Sequence, residues 1–289
     1  VKLLDTPNQG TAYDLCFHPK FAENHYLYVG WNGKYEGGRR KKKACRVTRY
    51  TVTPGPPLTI DPASATTVIE WESDGHNGAA VCFGTDGMLY VTSGDGTSDS
   101  DLDEMGQRTD TLLAKVLRID ADRPADGGAY SVPKDNPFVG DPRFAPETWA
   151  YGLRNPWRIA CDEKAGRIWV GQNGQDLWEQ AYLVREGDNF GWSVTEGSHP
   201  FYANRKPGPT PIVKPTIEHS HAEFRSLTGG IVLYGKQLPE LDGAYLYGDY
   251  STGRVWAMKH DGTRPLWHRE LATPRLQITG FGQNTRGEL

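Results

Sequence analysis

The chain has 289 residues, ample for a sizeable core, and its 32 Lys+Arg against 36 Asp+Glu leave a formal net charge of −4; that balance gives no general reason to expect nucleic acid or an anionic membrane as partner. No apolar run approaches the roughly 20 residues needed to span a bilayer, and four cysteines without a CxxC do not make a disulfide framework. Counts of Gly 34, Pro 20, Trp 9 and Tyr 14 suit many short strands joined by tight turns.

Residues 14–30 (DLCFHPKFAENHYLYVG) read as a short apolar strand, a polar turn and a second strand carrying Tyr and Val. The same unit returns at uneven spacing at 74–95, 158–171, 243–258 and 277–289. Repetition of this kind points to an all-β chain of propeller blades or a related array. In the 74–95 copy, β runs at 80–83 and 88–93 flank the turn Thr85-Asp86-Gly87, and His76 stands at the mouth of the hairpin. An imidazole with an ordinary pKa of about 6.5 accepts a proton at neutral pH, so His76 is a candidate base.

Cys16, Cys82 and Cys161 each fall on the first strand of a unit, within a residue of the same place. They are expected as buried thiols rather than disulfides, and Cys45 as a loop thiol. Polar, turn-rich insertions are expected at 32–46, 98–111, 121–146 and 198–223, where a propeller carries its functional loops. Helical periodicity is confined to a couple of turns at 110–117. The basic cluster Arg39, Arg40, Lys41, Lys42 and Lys43 reads as a solvated loop able to steer an electron-transfer partner. The acidic cluster Asp95, Asp99, Asp101, Asp103 and Glu104 lacks the glycine and helices of an EF-hand and also reads as a solvated loop. His219 and His221 share a strand face, and with His76 and Asp249 they offer a permissive, unspecific metal spacing. The sequence begins without Met and stops inside a repeat, so residues 1–289 are expected to be a single propeller domain cut from a longer protein.

Eight motifs then occur in a fixed order: Gln9-Gly10, FHPKF at 17–21, DGHNGAAVCFGTDGMLYVTSGD at 74–95, AKVLRID at 114–120, PKDNPF at 133–138, YGLRNPWRIA at 151–160, GQDLWEQ at 174–180 and GDNFGWS at 187–193. Together they resemble the soluble quinoprotein sugar dehydrogenases of the glucose/sorbosone dehydrogenase family. The resemblance implies a six-bladed β-propeller, here lacking some terminal strands, that uses pyrroloquinoline quinone (PQQ) and calcium. It implies oxidation of a sugar hemiacetal by hydride transfer to PQQ, with calcium as Lewis acid and a cytochrome or other acceptor taking the electrons, in an extracytoplasmic location.

By position in the family motifs His76 is the base, with Asp74 as the nearby carboxylate to orient it. Arg154 and Asn155 lie beside the quinone, Gly174 and Gln175 offer backbone carbonyls to calcium, with Asp176 and Glu179 supporting that loop, and Gln9 faces the sugar. Arg275 matches a further cofactor position. The family's lysine from the penultimate blade falls near Tyr250 or Ser251, so a cation is missing, and Arg225 or Arg254 is the candidate to replace it. Two other readings stay open: a cofactor-free propeller that binds carbohydrate or protein, and a calcium-dependent hydrolase of the lactonase kind.

Overall fold

The computed structural model describes residues 10–34, 43–284 and 286–289. The chain is an all-β propeller, as expected, and four complete blades of the expected ring lie among the described residues. Blade 1 pairs β1 (Thr11–Phe17), β2 (Tyr26–Lys34), β3 (Lys43–Thr53) and β4 (Thr59–Glu72) in chain order, and blade 2 does the same with β5 (Gly78–Phe83), β6 (Leu89–Ser93), β7 (Lys115–Ile119) and β8 (Thr148–Tyr151). Blade 3 runs β9 (Asn155–Asp162), β10 (Arg167–Asn173), β11 (Trp178–Val184) and, after a small hairpin of β12 (Thr195–Glu196) and β13 (His199–Pro200), β14 (Ile217–Ser220). Blade 4 is β15 (Leu227–Leu233), β16 (Ala244–Asp249), β17 (Val255–His260) and β18 (Pro265–Ala272).

Each blade is packed between neighbours, so its middle strands are apolar without alternation. Both β6 and β7 are buried along their whole length. The cores lie in the seams: Tyr28 and Trp71 meet Val91 and Leu117 between blades 1 and 2, and Tyr90 meets Ile159 and Tyr182 between blades 2 and 3. Between blades 3 and 4, Trp169 stacks on Tyr245 with centroids 4.6 Å apart. Each such large side chain contributes about 1.5–3 kcal/mol of burial.

Three expectations change. The segment read as helical at 110–117 is a bend leading into β7, because an apolar run buried on both faces lacks the period that separates strand from helix. Cys45 is not in a loop but fully buried in β3, where it accepts a hydrogen bond from Asn32 Nδ2 at 3.4 Å. Burial pushes its thiol up to about 11. The described residues of 277–289 form no strand pair. That segment instead crosses β15, with Thr228 Oγ1 donating to Ile278 O and Arg158 Nη2 to Thr279 O, both within 2.8 Å. Cys16, Cys82 and Cys161 sit on β1, β5 and β9, free and half-buried.

Antiparallel register decides where the functional loops go. Gly78 pairs with Ser93, Asn155 with Asn173, and Gly229 with Gly248, so the start of each blade's first strand lies beside the end of its second. The β4–β5, β6–β7, β8–β9, β10–β11, β14–β15 and β16–β17 connections therefore open at one end of the propeller.

Candidate functional site

Two of those connections meet at Gly94. A Cβ there would lie 2.3 Å from His76 O and 2.9 Å from Arg154 O, so only glycine lets the two backbones close on each other. His76 N donates to Thr97 O at 2.7 Å and Gly96 N to His76 O at 3.1 Å, which fixes the turn. The His76 side chain is 11% exposed, and its Nδ1 lies 2.8 Å from Oδ1 of Asp95, which is fully buried. Asp95 also accepts from Trp192 Nε1 at 2.8 Å, Thr97 N at 3.0 Å and Thr97 Oγ1 at 3.1 Å. A carboxylate holding that many donors is acceptor-only, so Nδ1 of His76 is the donor, and in the neutral imidazole Nε2 keeps the lone pair. Nε2 has no hydrogen-bond partner among the described residues.

The carboxylate on His76 is thus Asp95, and the expectation for Asp74 is corrected. Asp74 is exposed and joins the turn only through its backbone N–H, which donates to Gly96 O at 3.2 Å. The turn at 85–87 alone would set 76 against 96; the register shift between Gly78 and Val81, which leaves Gly78 opposite Ser93, brings 95 there instead.

Arg154 is 8% exposed. Its Nε and Nη2 donate to Gln175 Oε1 at 2.8 and 2.6 Å, its Nη1 donates to Asn173 O at 3.2 Å, and the guanidinium lies 5.7 Å from the Trp192 ring centre. Burial draws its pKa down, opposed by the charges of Asp95, Glu179, Glu196 and Asp176; a guanidinium stays protonated regardless. Asn155 Nδ2 donates to Asn173 Oδ1 at 3.1 Å.

The loop between β10 and β11 is shaped by Glu196 on β12. Its Oε1 accepts from the backbone N–H of Gln175 at 2.6 Å, Asp176 at 2.7 Å and Leu177 at 3.2 Å. In a planar trans peptide the preceding carbonyl points opposite to the N–H, so Gly174 O and Gln175 O face away from Glu196. Neither accepts a hydrogen bond among the described residues. A Cβ on Gly174 would sit 1.6 Å from Trp178 O, so the turn admits no other residue. Two orphaned carbonyls in one turn are hard oxygen donors of the kind calcium takes. Glu196 was not visible from sequence motifs.

Beside Asn155 and Asn173 opens a cavity of about 350 Å³, walled further by Trp157, Ser226, Tyr250 and Thr279. These walls are neutral, and Tyr250 stands where the family resemblance leads one to look for a lysine. Arg225 is exposed on the shoulder of Ser226, its Nε donating to His221 O at 3.2 Å. Arg275 is also exposed, next to Gly253, at φ +57°. Gln9 and residues 39–42 of the basic cluster lie outside the described residues.

The remaining acidic and imidazole groups are occupied elsewhere. Asp101 is not solvated but 1% exposed, clamping Met105 N, Gly106 N and Ser193 Oγ at 2.6–3.0 Å. Asp249 accepts from the N–H groups of Arg225, Ser226, Ser251 and Thr252. His219 pairs with Glu223, and His221 with the buried Glu179 at 3.0 Å. Burial pushes the Glu179 carboxyl up, and Glu179 raises His221. Among the described residues no three His, Cys, Asp or Glu side chains are placed to hold a metal, so the histidines and Asp249 do not assemble one.

The chain is similar in sequence or fold to several known proteins. HIPL1 protein of Arabidopsis thaliana is 31% identical over 298 residues, covering 84% of this chain and 43% of that protein. Human Hedgehog-interacting protein is 28% identical over 302 residues, covering 95% of this chain and 39% of its own length. The chain therefore spans less than half of either relative. The PQQ-bound aldose sugar dehydrogenase from Streptomyces coelicolor superposes with a TM-score of 0.68 at 24% identity, covering 95% of this chain and 71% of that one, a likeness of fold. No described helix is long and apolar enough to cross a membrane. The glucose/sorbosone dehydrogenase family model matches residues 2–279, and the chain belongs to that family.

Proposed function

We propose that the chain is the propeller unit of a quinone-dependent sugar dehydrogenase that oxidises an aldose hemiacetal at the loop end built around His76 and Arg154. The observation that carries this reading is the contact of His76 Nδ1 with the buried Asp95, which leaves Nε2 as the imidazole's free nitrogen. Nε2 takes the sugar hydroxyl proton, Asp95 stabilises the imidazolium that results, and Trp192 and Thr97 keep the carboxylate fixed. Arg154 stabilises negative charge as it develops on the acceptor side, and Gln9 contacts the sugar.

The fit to the implied cofactors is uneven. Gly174 O and Gln175 O suit calcium, and Arg154 with Asn155 suits the reacting edge of a planar quinone. PQQ carries three carboxylates, the cavity walls are neutral, and the exposed Arg225 and Arg275 are the side chains we put forward to meet them. When bound, PQQ supplies the hydride acceptor and calcium the Lewis acid that polarises it. A cytochrome or another acceptor then takes the electrons, in an extracytoplasmic setting.

The neutral walls and Tyr250 favour one second reading, a cofactor-free propeller that binds carbohydrate or protein. The lactonase-like hydrolase asks for acidic or amide side chains converging on calcium, which the available donors, two backbone carbonyls, do not match. Titration of the protein with PQQ and calcium separates the two leading readings. Saturable change in the quinone absorbance, followed by dye reduction on adding an aldose, is expected. Absence of any spectral change at millimolar calcium overturns the dehydrogenase and leaves the binding module.

A further inference from the structure

Arg154 presents its Nε and Nη2 hydrogens, the edge that grips an oxygen ligand in a fork, to an atom of its own chain. Gln175 Oε1 receives both, at 2.8 and 2.6 Å. The same oxygen accepts from Ser100 N at 3.2 Å, and Gln175 Nε2 donates to Asp99 Oδ1 at 3.1 Å. Arg154 has no carboxylate within ion-pair distance among the described residues. A buried cation, next in sequence to the cavity-lining Asn155, is thus satisfied by a neutral carboxamide that is itself half-exposed and tethered to a surface loop.

That loop is built to survive the loss of the tether. Ser100, Asp101 and Glu104 hold φ of 43°, 52° and 54°, a conformation unfavourable for residues other than glycine. The buried Asp101 clamp keeps them there through Met105, Gly106 and Ser193. Only Asp99 and Ser100, at the outer end, lean on Gln175.

We propose that the Gln175 side chain is an internal stand-in ligand, holding Arg154 in position until the oxygen of an incoming carbonyl or anion displaces it toward Asp99 and Ser100. The identity of that ligand as PQQ rests on the dehydrogenase reading; the stand-in itself does not. The side chain is separable from the calcium-facing carbonyl of the same residue, since substitution leaves the backbone in place.

The test compares wild type with Gln175→Ala and Gln175→Glu in the full chain. PQQ affinity in calcium is read from quenching of tryptophan fluorescence, and sulfate affinity without calcium from the Arg154 Nε–H resonance. Removing a competing charge-assisted hydrogen bond is expected to tighten both by about tenfold in Gln175→Ala. Gln175→Glu, which puts a carboxylate on the fork, is expected to weaken both by about tenfold or more. If PQQ binds neither wild type nor Gln175→Ala while sulfate tightens, the quinone reading fails and the stand-in holds. Sulfate affinity unchanged or weaker in Gln175→Ala overturns the stand-in and makes Gln175 a fixed positioning residue.

Discussion

The imidazole of His76 has one nitrogen to give a substrate because the other is committed to Asp95. That division is enforced by donors, since Trp192 Nε1 on Oδ2 and Thr97 N and Oγ1 on Oδ1 make the carboxylate an acceptor on both oxygens, so His76 Nδ1 meets it as a donor. Asp95→Asn keeps the size and inserts an NH₂ that must face one of these donors or His76 itself. The imidazole then turns to the tautomer protonated at Nε2, and the base is lost. We expect kcat of the reconstituted protein to fall by about 10²–10⁴-fold, with affinities for PQQ and calcium close to wild type. An unchanged kcat removes His76 from the proton transfer. The histidine was legible because it sits in a repeat and in a family motif. Its partner was not, because Asp95 reads as one acid in an acidic stretch until the hairpin register is known.

At the scale of elements, the strand–turn–strand units were legible from short apolar runs and turn residues, whereas the helix expected at 110–117 failed because β7 is buried on both faces. The loop that offers Gly174 and Gln175 was marked by a motif, but its shape depends on Glu196, which arrives from a separate hairpin. Glu196→Gln keeps one acceptor oxygen and loses the charge that gathers four N–H groups, those of Gln175, Asp176, Leu177 and Trp178. Calcium affinity is expected to drop about tenfold, the usual cost of loosening groups that orient metal ligands, as measured by calorimetric titration. An unaltered affinity separates this turn from calcium binding.

The strand β7 carries a second consequence. Lys115 is fully buried, its Nζ donating to Arg108 O and Leu113 O at 2.8 Å each, and burial pushes its pKa down to about 7. Between pH 7 and the ordinary lysine range the unfolded chain binds a proton that the native chain does not. Stability therefore rises with pH across that window, by up to about 1.4 kcal/mol per unit, and is flat below it. Lys115→Met removes the titrating group, so the difference in urea midpoint between it and wild type should change steadily from pH 7 to 9. A constant difference shows that Lys115 stays charged throughout.

At the scale of the molecule, the propeller was legible from the repeats, but which side chains meet across a seam was not, because that depends on register between blades far apart in sequence. The seam between blades 3 and 4 shows this. Tyr247 on β16 sets its hydroxyl 2.7 Å from His219 Nε2 on β14 and 2.6 Å from His268 Nε2 on β18. His219 Nδ1 donates to Glu223 Oε2 at 2.9 Å, so its Nε2 accepts the Tyr247 proton and His268 donates to the Tyr247 oxygen. Tyr247→Phe strands the buried Nε2 of His219, at a cost of about 1–3 kcal/mol, whereas the exposed His268 turns to water.

Acid acts on the same seam. Burial holds His219 below the ordinary imidazole range, so below about pH 6.5 the unfolded chain takes a proton that the seam refuses, and stability falls as pH falls. Because each blade packs mainly on its neighbours, Tyr247→Phe is expected to speed hydrogen exchange in β14–β18 while β1–β3 keep wild-type protection. Equal acceleration in all four blades would instead mean that the seams open together, and the propeller would then unfold as one cooperative unit rather than from its weakest joint.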